Sequence, residues 1–191
     1  MKILVSCERS GKVRRAFQAK GHEVYSCDIV PADDGELKYH IQCDVSTLLT
    51  KDHKWDRVIA FPPCTDLCVS GARHFAEKRR DGRQAKSIAF FSLFTKLDFV
   101  PQVAIENPVG IMSTLYRKPD QIIHPWMFGH SERKKTCLWL KNLPILVPTN
   151  IVERRSNRLH KLWGKVSHKE LSIIRSETFQ GIADAMAEQW G

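Results

Sequence analysis

Residues 2–29 read KILVSCERSGKVRRAFQAKGHEVYSCDI: a short apolar run, a polar turn, a helical pattern and a second apolar run. Within the helical part, Val13, Ala16 and Phe17 recur at the spacing of one helix face, and the basic last turn ends at Gly21. A strand followed by a helix and a second strand is the unit from which parallel sheets are built. This stretch therefore predicts an α/β fold.

The same alternation continues along the rest of the chain. Further strand patterns and helical patterns follow in turn: strands at 55–63, 103–108 and 136–140, and helices at 84–99 and 178–190. Most of the strand patterns stop at a polar or proline-broken turn, which is typical of a parallel sheet. We predict a doubly wound, mostly parallel sheet in a single domain that spans residues 1–191.

Composition excludes several classes of protein. The 191 residues are 42% hydrophobic and 27% charged, which is a globular composition. The apolar runs are far shorter than the roughly 20 residues that span a bilayer, and the start of the chain lacks a secretory pattern. We expect a cytoplasmic protein that makes no membrane contact, with its six cysteines as free thiols. The histidines show no spacing typical of metal ligands, so no metal site is predicted.

Charge is concentrated in two stretches. The chain carries 30 Lys and Arg against 21 Asp and Glu, a formal net charge of +9. Residues 131–175 hold eleven basic and three acidic side chains, and residues 73–86 hold six and two. A localised basic excess predicts a face that binds a polyanion, most simply DNA or RNA. A solubilising surface is the alternative.

Polar residues cluster where the predicted strands end, which is where parallel sheets bind their ligands. They are Cys7-Glu8, Asp28, Asp44, Pro62-Pro63-Cys64 and Glu106-Asn107-Pro108. In a nucleoside site, Asp28 would accept hydrogen bonds from ribose hydroxyls and Asp44 would reach an adenine amino group. The alternative is that both carboxylates cap helices.

The segment around Cys64 indicates covalent chemistry. Two prolines after a buried strand make a rigid turn that would hold the thiol at attack distance, and Arg73 would favour the thiolate. Glu106 ends another strand of the same sheet, where desolvation would raise its pKa and make it a proton donor. The pair suits covalent addition, and a buried, inert cysteine is the alternative.

Taken in order, these segments resemble the DNA (cytosine-5)-methyltransferases, and most closely short phage and bacterial proteins of that kind. Pro62-Pro63-Cys64 with Ser70-Gly71 is similar to their catalytic loop, and Glu106-Asn107 is similar to their Glu-Asn motif. Arg133, before a strand, is similar to their Arg-bearing motif. Residues 179–190, with Gly181, are similar to their last cofactor-side motif.

The resemblance implies a Rossmann-like fold of the S-adenosylmethionine-dependent methyltransferase type, with DNA, duplex or single-stranded, as substrate. The Cys64 thiolate would add to carbon 6 of cytosine, Glu106 would bind or protonate ring nitrogen 3, and carbon 5 would take the methyl group. A base in duplex DNA would first be flipped out of the stack. The implied sites are catalytic Cys64, Glu106 and Arg133; cofactor-binding Cys7, Glu8, Gly11, Asp28, Ile29, Asp44, Pro62 and Gly181; and substrate-binding Ser70, Gly71, Arg73 and Asn107.

One region departs from the family. Its members carry a separate target-recognition domain before the last motif, and here a short basic insertion, residues 141–177, takes that place. Low specificity, a homodimer, a partner protein or a free pyrimidine nucleotide as substrate could each account for this. A catalytically lost, methyltransferase-like DNA-binding protein is the remaining alternative.

Overall fold

A computed structural model describes residues 1–154 and 164–191 of the chain. The strands are β1 Lys2–Ser6, β2 Glu23–Asp28, β3 His40–Gln42, β4 Arg57–Ala60, β5 Gln102–Pro108, β6 Gln121–Ile123 and β7 Thr136–Lys141. The helices are α1 Lys12–Gln18, α2 Phe75–Arg80, α3 Arg83–Thr95, α4 Met112–Leu115, α5 His168–Ser176 and α6 Gln180–Trp190. Short 3₁₀ turns lie between several of them.

The strands form one sheet in the order β3-β2-β1-β4-β5-β7-β6. Strands β1 to β5 pair in parallel, whereas β7 runs antiparallel to both β5 and β6. The order reverses between β1 and β4, which is the point where open α/β sheets bind their ligands. The predicted doubly wound, mostly parallel sheet is confirmed.

Both faces of the sheet are covered, because successive strand residues point to opposite sides. On one face Ile3 and Val5 of β1 join a buried cluster with Phe17 of α1 and the apolar residues of α6. On the other face Leu4 joins a cluster with Phe91 of α3. Burial on both faces explains why the central strands are continuous apolar runs.

The structure departs from the predicted elements at several places. The predicted helix at 84–99 begins at Arg83 and ends at Thr95, and α2 precedes it across Gly82, which adopts a φ of 79°. The strands β3 and β6 have three residues each; β6 was not predicted, and β3 was implied only by the placing of Asp44 at a strand end. The predicted insertion 141–177 contains α5, whose first turn is closed by a capping box of Ser167 and Glu170. Residues 155–163 of that insertion lie outside the described residues.

No helix in the described part of the chain is long and apolar enough to cross a membrane.

Candidate active site

Strand register brings the predicted site residues to one edge of the sheet. Ser6 at the end of β1 pairs with Cys27 of β2 on one side and with Ala60 of β4 on the other. Ala60 in turn pairs with Ile105 of β5. The residues that follow these positions, from Cys7 to Glu106, therefore share the carboxyl edge.

The turn that carries Cys64 is fixed to β5 by a buried amide. Asn107 is 1% exposed, and its Nδ2 donates a hydrogen bond of 2.7 Å to the carbonyl oxygen of Pro62. The Cys64 carbonyl then accepts from the backbone N–H groups of Leu67 and Cys68, at 3.0 and 2.9 Å. The thiol is held between a proline-restricted segment and a tight turn, which limits its freedom to move away from β5.

A second set of contacts, which the sequence did not reveal, ties the same loop to α2 and α3. Lys78 is buried; its Nζ donates to the carbonyl oxygen of Thr65 at 2.5 Å and lies 3.1 Å from the Asp66 carboxylate. Ser87 Oγ donates to that carboxylate, and Gln84 Nε2 donates to the Asp66 carbonyl, both at 3.1 Å. The loop is therefore supported from both sides.

Cys64, Glu106 and Lys134 form the electrostatic centre of this site. Burial, and next the Glu106 carboxylate, raise the pKa of the half-buried Cys64 thiol to about 11, whereas Lys134 lowers it. Burial raises the pKa of Glu106, while Lys134 and a hydrogen bond with Thr136 lower it. The Glu106 carboxylate and the Lys134 cation thus act in opposite directions on the Cys64 thiol, and Lys134 also acts on Glu106.

Lys134, rather than the predicted Arg133, is the cation that acts on Cys64 and Glu106. Its Nζ donates to the carbonyl oxygen of Arg175 at 2.9 Å, which anchors the end of the side chain. Arg133 instead donates to the carbonyl oxygen of Arg154 at 3.1 Å and lines a separate cavity. A usable signal was present: Lys134 stands two residues before Thr136, which bonds Glu106, and alternate residues of extended chain share a face.

The predicted substrate residues after Cys64 lie on the surface. Ser70, Gly71 and Arg73 belong to a 3₁₀ turn, Val69–His74, that follows the Cys64 loop. Ser70 Oγ is 3.2 Å from Cys68 Sγ, and Arg73 Nε donates to His74 at 2.9 Å. None of these three contacts Cys64 or Glu106 through a recorded hydrogen bond among the described residues.

The ends of β1, β2 and β3 form the other half of the edge. Cys7 adopts a left-handed φ of 60°, a conformation that costs energy for a non-glycine residue and recurs at functional sites. Burial, followed by Asp28, raises the pKa of its thiol, and Asp44 adds to the effect, so both carboxylates lie near it. Beside Asp28, the apolar side chain of Ile29 is 73% exposed.

Asp28 and Asp44 both make local turn contacts. Asp28 Oδ1 accepts from the Val30 N–H at 3.2 Å. Asp44 caps the 3₁₀ turn after β3 by accepting from Ser46 N–H at 2.9 Å, and that bond holds its pKa below the usual range. The capping alternative therefore describes Asp44, although capping leaves its carboxylate exposed at the edge.

Three predicted cofactor residues serve the fold directly. Glu8 is buried, and its carboxylate accepts from the N–H groups of Val13 and Arg14, at 2.6 and 3.2 Å, at the start of α1. Gly11 has a φ of 66°, and a Cβ there would lie 2.5 Å from Asp34 Oδ2. A Cβ at Gly181 would collide with the carbonyl oxygen of Phe128, so this glycine allows α6 to approach that turn.

Comparison with protein-family models gave no match. Comparison with curated proteins also gave none.

Solved structures do match. The chain is 18% identical to a prophage-encoded Escherichia coli protein, solved under the description of a candidate DNA modification methyltransferase, over 80% of this chain and 52% of that one, with a TM-score of 0.53. It is also 18% identical to a triple mutant of Spodoptera frugiperda DNMT2, over 82% of this chain and 55% of that one, with a TM-score of 0.47. The chain thus spans about half the length of either protein. It has the fold of the prophage-encoded protein.

Proposed function

We propose that this protein transfers a methyl group from S-adenosylmethionine to carbon 5 of cytosine in DNA through a covalent adduct on Cys64. The observation that carries the proposal is that Glu106 and Lys134 both act on the Cys64 thiol at the carboxyl edge of the sheet, where the Asn107–Pro62 hydrogen bond holds the Cys64 turn against β5. The methyltransferase fold of a structural neighbour supports it. The net charge of +9 supports a polyanionic substrate.

The ends of β1 to β3 fit an adenosine group. Asp28 uses Oδ1 for the Val30 N–H, and no described residue donates to its Oδ2, which suits a ribose hydroxyl. Ile29 offers an exposed apolar surface beside that carboxylate, which suits the face of a purine ring. When bound, S-adenosylmethionine supplies an electrophilic methyl group.

Cys64 begins the reaction as the nucleophile. Its thiolate forms a bond from Sγ to carbon 6 of the cytosine ring, and the electrons of the carbon 5–carbon 6 double bond shift toward carbon 5. Glu106, whose pKa is raised by burial, donates in its protonated form a proton to ring nitrogen 3 and so neutralises the charge that addition places on the ring. Carbon 5 thereby becomes the nucleophile that accepts the methyl group.

Product release reverses the addition. A base removes the proton from carbon 5, the electrons of that bond re-form the ring double bond, and the Sγ–carbon 6 bond breaks to give back the thiolate. Ring nitrogen 3 returns its proton to Glu106. Asn107 keeps the Pro62 turn, and with it Cys64, in one place through both steps. The role of Asn107 is therefore positioning rather than contact with the base.

The reaction requires a protonated Glu106 and a deprotonated Cys64, and the first of these states favours the second. A protonated Glu106 no longer carries the negative charge that raises the pKa of the Cys64 thiol. Lys134 lowers the pKa of the thiol and so stabilises the thiolate. Binding of a base that takes a hydrogen bond from neutral Glu106 therefore favours the reactive form of Cys64.

Calorimetric titration with S-adenosylmethionine and with S-adenosylhomocysteine tests the cofactor part. We expect binding in the micromolar range that Asp28→Ala abolishes and that Asp52→Ala, at the opposite edge of the sheet, leaves unchanged. Transfer of labelled methyl groups to cytosine-containing DNA, compared with deoxycytidine monophosphate, tests the substrate. A folded protein that binds DNA but not the cofactor would contradict the proposal and favour a DNA-binding protein without catalysis.

A further inference from the structure

A second concave site lies beside the catalytic centre. A cavity of about 530 Å³ is lined, among the described residues, by His124, Trp126, Arg133, Lys135, Glu153 and Arg154. We refer to this site as the cationic cavity. Its volume falls within the range of pockets that hold small ligands. None of its lining residues takes part in the reaction proposed above.

Its charge favours an anion. Three cations, Arg133, Lys135 and Arg154, face one carboxylate, Glu153, in the lining. Arg133 is oriented by its hydrogen bond of 3.1 Å to the Arg154 carbonyl. Burial lowers the pKa of His124, and the nearby positive charges of Lys135 and Arg154 lower it further. Arginines in a concave setting suit a phosphate group.

The cationic cavity also has an aromatic wall. The Arg154 guanidinium lies 5.0 Å from the centre of the Trp126 ring, and the His124 ring centre lies 5.6 Å from it. Trp126 Nε1 and His124 Nδ1 are buried without a hydrogen-bond partner in the described structure. Buried polar groups of this kind are usually completed by water or a ligand. Aromatic rings beside cations are the elements that bind unstacked nucleotides.

Its position relates the cationic cavity to the reacting base. Arg133 and Lys135 line it, whereas Lys134, between them, acts on Cys64 and Glu106. Successive side chains of one short segment therefore contribute to the two sites, and consecutive Cα atoms of that segment are about 3.8 Å apart. A strand that binds at one site therefore passes close to the segment that serves the other.

We propose that the cationic cavity binds the nucleotide next to the target cytosine, with its phosphate against Arg133, Lys135 and Arg154 and its base stacked on Trp126. This inference rests on the proposed function, because it takes the substrate to be a nucleic-acid strand. In this arrangement the cationic cavity holds the unstacked nucleotide beside the target cytosine and so orients the strand. Recognition would then begin within residues 124–154.

The test measures binding of a fluorescent single-stranded oligonucleotide of about 15 nucleotides containing one cytosine. Trp126→Leu should weaken binding about tenfold, whereas Trp126→Phe keeps a ring and should bind close to wild type. Arg133→Gln should reduce the slope of log affinity against log salt by about 0.7. Lys51→Gln, which removes one charge at the opposite edge of the sheet, serves as the matched control and should bind like wild type.

A second arm removes the base but keeps the phosphate. An abasic residue beside the cytosine should weaken wild-type binding about as much as Trp126→Leu and should cause no further loss in that variant. Trp126→Leu and Arg133→Gln variants that bind like Lys51→Gln would overturn the inference. An abasic strand that binds as tightly as the intact strand would also overturn it, because the base would have no site. Thermal unfolding of each variant confirms that it is folded.

Failure of the inference and failure of the proposed function give different results. Cys64→Ser should lose methyl transfer and keep oligonucleotide binding, with the same dependence on Trp126. If wild type transfers methyl groups but the cavity variants bind normally, the inference alone is wrong. If wild type neither binds the cofactor nor transfers methyl groups, the proposed function is wrong, and the binding results still decide the cavity. Tighter binding of deoxyadenosine monophosphate than of the oligonucleotide would assign the cavity to a free nucleotide and overturn the inference.

Discussion

The two halves of the carboxyl edge use their polar side chains differently. At the ends of β1 and β2, Glu8 binds the first N–H groups of α1, and Gly11 packs against Asp34. At the ends of β4 and β5, Glu106 and Lys134 both act on the Cys64 thiol, and Lys134 also acts on Glu106. Other residues support that second half, namely Asn107, Asp66 and Lys78.

In the half around Cys64, the reacting groups and the supporting groups are different residues. In the half around Glu8, residues predicted to bind the cofactor hold the fold together. In the half around Cys64, a substitution of a reacting group should affect chemistry with little effect on stability. In the half around Glu8, a substitution should first affect α1, and the proposed cofactor contacts rest on Asp28 and Ile29 instead. The predictions below test this separation.

Glu106→Gln should have the largest effect. Glutamine cannot donate a proton to ring nitrogen 3, so we expect methyl transfer to fall by roughly 10²–10⁴. Loss of the negative charge should also lower the pKa of Cys64 from about 11 and speed its alkylation at pH 8. Site-resolved mass spectrometry of iodoacetamide labelling measures the second effect.

Glu188→Gln, which removes a surface carboxylate paired with Lys20, is the matched control and should change neither quantity. Slower alkylation of Cys64 in Glu106→Gln would contradict the proposed electrostatics, whatever happened to catalysis.

Asn107→Ala should affect both stability and rate. The Pro62 carbonyl loses a buried hydrogen bond, so the free energy of unfolding should fall by about 1–3 kcal/mol. Because the Cys64 turn loosens, kcat should fall while KM for DNA changes little. Urea unfolding and steady-state kinetics measure the two effects. A rise in KM with unchanged kcat would instead place Asn107 in direct contact with substrate.

Lys134→Gln compared with Arg133→Gln tests which cation serves the reaction. Lys134→Gln should raise the pKa of Cys64, because the cation that lowers it is gone. Arg133→Gln should leave that pKa unchanged, since its guanidinium is directed to Arg154. The pH dependence of Cys64 alkylation measures both variants. Equal changes in the pKa of Cys64 in the two variants would contradict the assignment of Lys134 as the cation that acts on Cys64.

Glu8→Gln should have the smallest effect on methyl transfer and a characteristic pH dependence of stability. Burial raises the pKa of Glu8 in the folded protein from 4.5 to about 7, so the folded state holds the proton more tightly than the unfolded state. The stability of wild type should therefore fall, relative to Glu8→Gln, as the pH rises from about 4.5 to about 7, and level off above that. Urea unfolding at several pH values checks this, and a constant difference would contradict it.

Sequence patterns predicted the longer elements because buried strands and helices need apolar residues at regular spacing. The strands β1, β4 and β5 are apolar runs that end at polar or proline turns. The strands β3 and β6 are too short for a pattern to emerge and depend on their neighbours. The helix α5 carried a readable signal, the spacing from Ser167 to Glu170 of a capping box.

The proposed reacting groups of the candidate site were identified from the sequence, whereas most of the contacts that support them were not. Cys64 and Glu106 follow strand patterns, so the topology of a parallel sheet places them at one edge. The contacts of Asp66 with Lys78 and Ser87 join residues that no local pattern connects. Glu8 was predicted as a cofactor contact, because a sequence does not show that a carboxylate is taken up by the helix that follows it.

The most direct test of the central claim is trapping of Cys64 by DNA that contains 5-fluorocytosine, in the presence of S-adenosylmethionine. Fluorine at carbon 5 cannot leave as a proton does, so the adduct should persist. We predict a protein–DNA species stable to denaturant whose mass spectrum places the modification on Cys64, and its absence in Cys64→Ser. The same species in Cys64→Ser, or none in a wild-type protein that methylates unmodified DNA, would contradict the account.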